Sequence, residues 1–299
     1  MKTKKKIKYD LFDWINLIFM LLLVIIMTYP YWNQIVLAFN DGMDSMYGGI
    51  YLWPRKFTTA NIKLLIANKD IWQATTLTVI NVATYTVSHL LVTTAAAYAL
   101  TKKDLPYRNA VILLFMIPMY IGGGEIANLI LYRYLGLFNT QFVYWVPSMF
   151  AFSNAIIIRT FIQGLPASLE EAAIIDGASE ITVLFKIILP LCTPVLATVS
   201  LWLIVGSWNN YMTSLYYITD KRLYSLQYVI MQIIKKNEII QAVSQENAMR
   251  GVTGDNEFIP TTEAMKSAAV VFSTLPVIMA YPFLQKYFVQ GITVGAIKD

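Results

Sequence analysis

The sequence predicts an all-α, polytopic membrane protein with six transmembrane helices, and three observations carry that prediction. Of 299 residues, 57% are hydrophobic and only 14% charged, with a mean hydropathy of +0.54. A water-soluble fold of this length could not bury so much apolar surface. The apolar residues also fall in blocks of about 20, the length a helix needs to cross a hydrocarbon core about 30 Å thick. An open strand would leave its amides and carbonyls unpaired in lipid, so each block is read as a helix.

The blocks cover residues 14–39, 71–100, 110–131, 142–162, 191–216 and 267–288. The first follows the basic string MKTKKKIKYD and has the outline of a secretory leader. Its apolar stretch is too long for one, however, and no small-residue cleavage site follows at residues 28–32, so it is read as an uncleaved first span. Trp14, Trp32, Trp72 and Trp145 fall near block ends, as interfacial anchors do.

Orientation follows from the basic residues of short segments. Lys2, Lys4, Lys5, Lys6 and Lys8 in the tail, and Lys102, Lys103 and Arg108 in the loop at 101–109, belong in the cytoplasm. The loop at 132–141 carries only Arg133 and suits the outer side. Six spans then leave both termini inside and two sizeable outer segments, at 40–70 and 217–266. The second carries Leu226, Val229, Ile230, Ile233 and Ile234 at helical spacing. No internal repeat or separate soluble domain interrupts the chain, which reads as one domain over residues 1–299.

The net charge of +5 sits mostly at block edges, where headgroups and water solvate it. Nucleic acid is a poor alternative partner, because no basic face alternates with exposed aromatics. The single Cys192 excludes an internal disulfide, and the single His89 excludes motifs such as H-E-x-x-H. His89 is expected to be hydrogen-bonded to a neighbouring helix. No metal site is expected.

Between spans four and five, residues 164–190 read GLPASLEEAAIIDGASEITVLFKIILP. Ser168 and Glu171, three apart, have the spacing of a capping box, and Gly177 suits a left-handed stop, so a helix of about two turns is expected. A second helix follows, with Ile181, Leu184, Phe185 and Ile188 as its apolar stripe and Pro190 at its end. Such a pair is either a knob that enters a partner's groove or an interfacial helix pair lying on the membrane.

At this point the residues resemble a known family. EAAIIDG, then nine residues, then IILP is similar to the EAA motif (E-A-A, three residues, G, nine residues, I-x-L-P) of the transmembrane subunits of binding-protein-dependent ABC importers. Glu171, Ala172, Ala173, Gly177, Ile187, Leu189 and Pro190 match it at every defined position. Asp176-Gly177-Ala178 and the WNNY string at 208–211 resemble the smaller, six-span partner in maltose-type carbohydrate permeases. The stretch YIGGGEIANLILYRYLGLFNT and the ending KYFVQGITVGAIKD are similar to a subgroup associated with complex oligosaccharides or polysaccharides.

The resemblance implies the type I ABC importer permease fold and a bacterial cell membrane location. It also implies four kinds of partner besides lipid: a second, homologous permease subunit, two ATP-binding cassette ATPase subunits, an extracellular solute-binding protein and a carbohydrate solute. Glu170, Glu171, Ala172, Ala173, Asp176, Gly177 and Pro190 are the ATPase-coupling residues it implies. Glu171 would make charged hydrogen bonds to a cleft of the ATPase, with Ala172 and Ala173 allowing close approach. The outer segment at 217–266 resembles, by location, the loop that probes the binding protein. The ending at 291–299 would touch the ATPases or fray.

The chain itself has no G-x-x-x-x-G-K-[ST] loop to cradle ATP phosphates, so ATP and Mg²⁺ are expected on the partner ATPase and no cofactor on this chain. Candidates for the solute pathway are Trp208, Asn209, Asn210 and Tyr211, about 24 Å along span five from Thr193, and the intramembrane Glu125. An aromatic flanked by amides suits a sugar, whose C–H face stacks on the ring while its hydroxyls bond the amides. Helix–helix packing is the competing role for that string, and a buried partner such as Tyr132 the competing role for Glu125. A secondary transporter or channel, or an ABC importer of a non-sugar solute, remains the alternative function; an embedded enzyme has no assembled chemistry here.

Overall fold

The computed structural model describes residues 10–249 and 261–296. Among these the regular structure is helical, apart from an isolated antiparallel bridge between Asn40 and Phe57. The basic tail, residues 250–260 of the segment expected outside, and the last three residues lie outside the described residues, and so do the side chains of the ending at 291–299. Contacts divide the chain into two compact units, Met1–Asn68 with Gln232–Thr274, and Lys69–Met231 with Leu275–Asp299.

The first unit opens with α1 (Leu11–Ala38), which starts where it does because Asp10 and Asp13 form a capping box. The Leu11 amide donates to Asp10 at 2.8 Å and the Asp10 amide to Asp13 at 2.9 Å, satisfying amides that have no helical partner. From Phe12 to Met27, α1 turns large apolar side chains outward all round, as a lipid-solvated helix does. Its last turns are packed instead. Ala38 lies in a small core with Ala268 and Val271, and Gln34 accepts a 2.8 Å hydrogen bond from Ser267. The short helices α2 (Gly42–Met46) and α3 (Ala60–Ala67) follow, tied by two buried asparagines. Asn40 donates to Ser45 Oγ and accepts from the Lys56 amide, both at 2.9 Å, and Asn61 donates to the Ala38 and Asn40 carbonyls at 3.1 and 2.9 Å. These bonds supply an irregular loop with the partners its backbone would otherwise lack.

The second unit is organised round α4 (Lys69–Ala99), whose buried face carries Thr78, Asn81, Thr86, His89, Thr93 and Thr94. Several of these tie helices together. Thr78 accepts from the Leu226 amide at 2.9 Å and Asn81 from Gln141 at 3.0 Å. His89 lies with Nδ1 2.7 Å from the Ser148 carbonyl and Nε2 3.0 Å from Asn154 Nδ2. A carbonyl only accepts, so Nδ1 donates and Nε2 accepts; His89 is a neutral tie between helices, the hydrogen-bonded role expected of it.

Three of the expected spans are bent rather than straight. Helices α5 (Arg108–Tyr120) and α6 (Gly124–Tyr134) meet at 117°, because Pro118 weakens the end of α5 and Gly124 turns the chain with φ +78°. Two 3₁₀ turns, Gln141–Tyr144 and Val146–Ser148, lead into α7 (Phe152–Gln163) at 49°. The segment at 164–190 forms α8 (Ala167–Ile175), α9 (Glu180–Val183) and a π turn (Leu184–Ile188), followed by α10 (Leu189–Leu191). The chain then bends 78° into α11 (Thr193–Trp208), whose first turn carries Pro194. The break at 209–211 precedes α12 (Met212–Tyr217), so the expected continuous span 191–216 is interrupted at both ends.

Helix α13 (Leu226–Met249) bears out the helical spacing expected from Leu226 onward, with Leu226, Val229 and Ile230 buried, and α14 (Thr262–Ala296) closes the described chain. Among the described residues α1 and α4 are each long and apolar enough to cross a membrane, and each bent pair gives one more candidate span, five in all. One core joins most of the second unit. Ala97 and Tyr98 of α4, Ala155 and Ile158 of α7, Val183, Leu184 and Ile188 after the Gly177 turn, and Val199 of α11 all belong to it.

Candidate functional site

The segment at 164–190 is built as two short helices round one glycine. The expected Ser168–Glu171 capping box does not form: α8 begins at Ala167, with Pro166 in the cap position and no side-chain cap bond. Pro166, fixed at φ −61°, already aims the chain into the helix, which leaves Ser168 inside the first turn, where its hydroxyl cannot cap. The stop is as expected. Gly177 has φ +81°; its amide bonds the Ile174 carbonyl at 3.0 Å and the Ala178 amide bonds the Ala173 carbonyl at 2.9 Å, the paired bonds of a Schellman turn. Nothing lies within 4 Å of a Cβ added there, so Gly177→Ala should cost only the left-handed conformation, about 1–2 kcal/mol. Thermal unfolding of the purified protein measures it.

The two faces of this helix pair differ. Ala173 is half-buried against the core, whereas Leu169, Glu171, Ala172, Ile174, Ile175 and Asp176 are exposed, Ile175 at 85%. Ala173, expected to meet a partner, therefore faces its own protein. The second stripe holds at Leu184 and Ile188 and is corrected at Ile181 and Phe185. Ile181 and Phe185 are 70% and 52% exposed, while Val183, Leu184 and Ile188 are buried. Nor does Pro190 end the helix. The Leu189 amide reaches back five residues to the Leu184 carbonyl, and this wider turn admits the proline ring before the helix continues to Leu191.

Glu170 also points inward. Its carboxylate pairs with Lys102, just beyond α4, and lies 3.2 Å from the Tyr98 hydroxyl. Lys102 also meets Glu180 at 2.6 Å, and Tyr98 donates to Glu180 at 2.6 Å. Burial acts against the Lys102 charge, but the hydrogen bonds it donates to Glu170 and Glu180 outweigh this and raise the ammonium pKa. The hydrogen bond from Lys102, and then that from Tyr98, hold the Glu180 carboxyl below its usual range. The raised lysine contributes stability in full below its ordinary range and loses it as pH rises through the raised value. The lowered carboxylate contributes in full above its ordinary range and loses it as pH falls through the lowered value, so Lys102 and Glu180 both stay charged at neutral pH. Beside it, a cavity of about 490 Å³ is lined by Lys102, Lys103, Glu170, Glu171 and Leu191 among others.

The WNNY string lies at the break after α11, and its members separate. Trp208 is buried and lines an apolar groove of about 340 Å³ with Val82, Thr86 and Ile204. Asn209 is exposed, donates to the Val205 carbonyl at 2.9 Å and accepts from Gln227 at 3.4 Å. Asn210 accepts from the Thr213 amide at 3.1 Å, which starts α12. Of the string, only Asn210 lines a second cavity, of about 230 Å³, whose wall also holds Tyr85, Tyr132, Tyr144, Tyr217, Trp202 and Ser207. Tyr211 lines neither cavity.

That wall is held firmly. The Tyr144 hydroxyl donates to the Leu223 carbonyl at 2.6 Å and lies 2.7 Å from Ser214 Oγ, and Ser225 donates to the Asn210 carbonyl at 3.1 Å. Tyr217 packs edge-on against Tyr132 at 4.9 Å and donates to Glu125, so Glu125 acts on the cavity through a tyrosine rather than by lining it. The four tyrosines were not read from the sequence as lining a cavity, Tyr132 being named only as a candidate partner of Glu125; they come from four separate segments and share no spacing.

The description "binding-protein-dependent transport system inner membrane component" matches residues 89–294, more than half of the chain. The polygalacturonan/rhamnogalacturonan transport system permease protein YtcP of Bacillus subtilis (strain 168) is 30% identical over 97% of this chain and 99% of that protein. Protein LplC of the same organism is 32% identical over 96% of this chain and 95% of its own length. A solved bacterial ABC transporter involved in import of the acidic polysaccharide alginate has a chain that superposes with TM-score 0.81 at 24% identity. The match covers 95% of this chain and all of that one, and establishes likeness of fold.

Proposed function

The chain belongs to the family of binding-protein-dependent transport system inner membrane components, and from that premise we propose that it forms half of the pathway of an ATP-driven importer of oligosaccharides. Its second half is a homologous permease, its energy comes from two ATPase subunits docked on residues 164–190, and its cargo arrives on an extracellular solute-binding protein. The observation that carries this reading is the two-faced helix pair. Its outer face exposes Leu169, Ile174 and Ile175 beside Glu171, while Val183, Leu184 and Ile188 sit in the same core as α4, α7 and α11. Apolar side chains beside a charge on an exposed knob suit a protein partner, and the shared core would carry that partner's movement into the spans.

Cargo is argued from two sides. YtcP is named for polygalacturonan and rhamnogalacturonan, and the cavity wall of four tyrosines, Trp202, Ser207 and Asn210 offers rings for sugar C–H faces with amide and hydroxyl groups for sugar hydroxyls. We accordingly assign Asn210 and the tyrosines to the solute pathway, with Trp208 packing in its apolar groove and Asn209 at the helix end. We further take α1, α4, the three bent pairs and α14 as six spans with both termini cytoplasmic, in a bacterial cell membrane.

Vesicles holding this chain, its partner permease and the ATPases test the proposal. With binding protein supplied outside, oligogalacturonides should accumulate only when ATP is enclosed, and Asn210→Ala should lower uptake about tenfold, the loss of one to two hydrogen bonds to cargo. Uptake driven by an ion gradient without ATPases would remove the importer reading, and unchanged uptake in Asn210→Ala would remove the cavity from the pathway.

A further inference from the structure

The two helices of the coupling segment converge on one point. Helix α9 is a single turn anchored in the core by Val183, whereas α8 has no buried residue and is not fixed by its own packing alone. Glu170 on α8 and Glu180 on α9 lie on opposite sides of the Gly177 turn, yet both carboxylates converge on Lys102. Lys102 follows the end of α4 by three residues, and its ammonium stands 4.4 Å from the Tyr98 ring centroid, one turn back on α4. The Tyr98 hydroxyl, 2.6 Å from Glu180 and 3.2 Å from Glu170, closes the cluster. Its ring belongs to the core that α4 shares with α7 and α11. Arg159 of α7 fixes the same corner by donating to the Leu100 carbonyl at 3.0 Å.

We propose that Lys102, backed by Tyr98, is a positioning residue that locks both coupling helices to the end of α4, so that a displacement of the segment moves α4 with it. Without the lock the Gly177 turn is a hinge, and a push on α8 is absorbed by rotation about that hinge. With it, two helices and α4 move as one body. Tyr85 of the tyrosine-lined cavity also lies on α4, so the same helix links the coupling segment to that wall. Glu170 thereby acts within this chain, in contrast to its neighbour Glu171, which faces outward.

This inference rests on the importer reading, and its experiment keeps the two apart. The complete importer, with parent chain or with Lys102→Gln, Lys102→Arg, Glu170→Gln or the double change Lys102→Gln/Glu170→Gln, is reconstituted in vesicles. ATP hydrolysis, uptake and retention of the ATPases on purification are measured together. Parent vesicles that hydrolyse ATP but take up no sugar with it contradict the importer reading itself. With parent uptake established, Lys102→Gln should retain the ATPases and hydrolyse ATP while sugar moved per ATP falls about five- to tenfold. Lys102→Arg should restore most of that ratio, and the double change should be no worse than the worse single one. An unchanged ratio in Lys102→Gln overturns the proposal, as does loss of the ATPases or strict additivity of the two changes. If Lys102→Gln does not reach the membrane, Tyr98→Phe, which keeps the ring and both ion pairs, should lower the same ratio; a ratio equal to the parent's then overturns it.

Discussion

Leu184→Ala is expected to lower the protein's unfolding free energy by about 2–5 kcal/mol, whereas Phe185→Ala, one residue on, should change it by less than about 0.5 kcal/mol. Leu184 sits in the core with Val183 and Ile188, so its truncation leaves a cavity that α7 and α11 cannot collapse to fill. Phe185 is 52% exposed and loses little burial. Urea unfolding of the detergent-purified chain reads both. Equal losses would mean that Phe185 packs inward on a regular helix and would dispose of the π turn.

That contrast also marks how far the segment was legible. Gly177 was readable because a left-handed stop is a property of one residue and its neighbours, and the amide bonds to Ile174 and Ala173 bear it out. Helical spacing after it was readable only as α-helix; it selected Leu184 and Ile188, which are buried, together with Ile181 and Phe185, which are not. Beside the π turn the buried face includes Val183 and leaves Phe185 out, and nothing in a residue pattern announces that turn except Pro190, which was read as a stop. Ser168 failed for a similar reason. The spacing to Glu171 was right for a capping box, but Pro166 had already set the helix start.

Spans behaved likewise. Apolar blocks located the lipid-facing stretches, and α1 and α4 came out as long helices. The bends at residues 121–123, 149–151 and 192 depend on Pro118, Gly124, Pro147 and Pro194 acting within helices that are otherwise apolar enough to continue. Function at those breaks is still less local. The tyrosine-lined cavity draws on α4, α6, the 3₁₀ turns, α11 and α12, and Glu125 enters it only through Tyr217. Of the WNNY string, a continuous feature of the sequence, Asn210 alone faces that space.

Glu171→Ala is expected to reduce ATP-driven uptake about 10- to 100-fold while leaving the permease inserted, since a hydrogen bond to a charged group is worth about 1.5–3 kcal/mol. The side chain is exposed near the start of α8, beside Leu169, Ala172 and Ile175, so its removal costs this chain no core contact. On the importer proposed above, what it removes is the charge offered to the ATPase. Membrane abundance should therefore match the parent, and the ATPases should be lost on purification. Full uptake with the ATPases retained would rule Glu171 out as the docking contact. The adjacent carboxylate gives the control. Glu170 is spent on Lys102, so Glu170→Gln should keep the ATPases bound and lower only the sugar moved per ATP. Two neighbouring glutamates, with opposite outcomes in the same purification, would separate the proposed ATPase-docking surface from the proposed lock behind it.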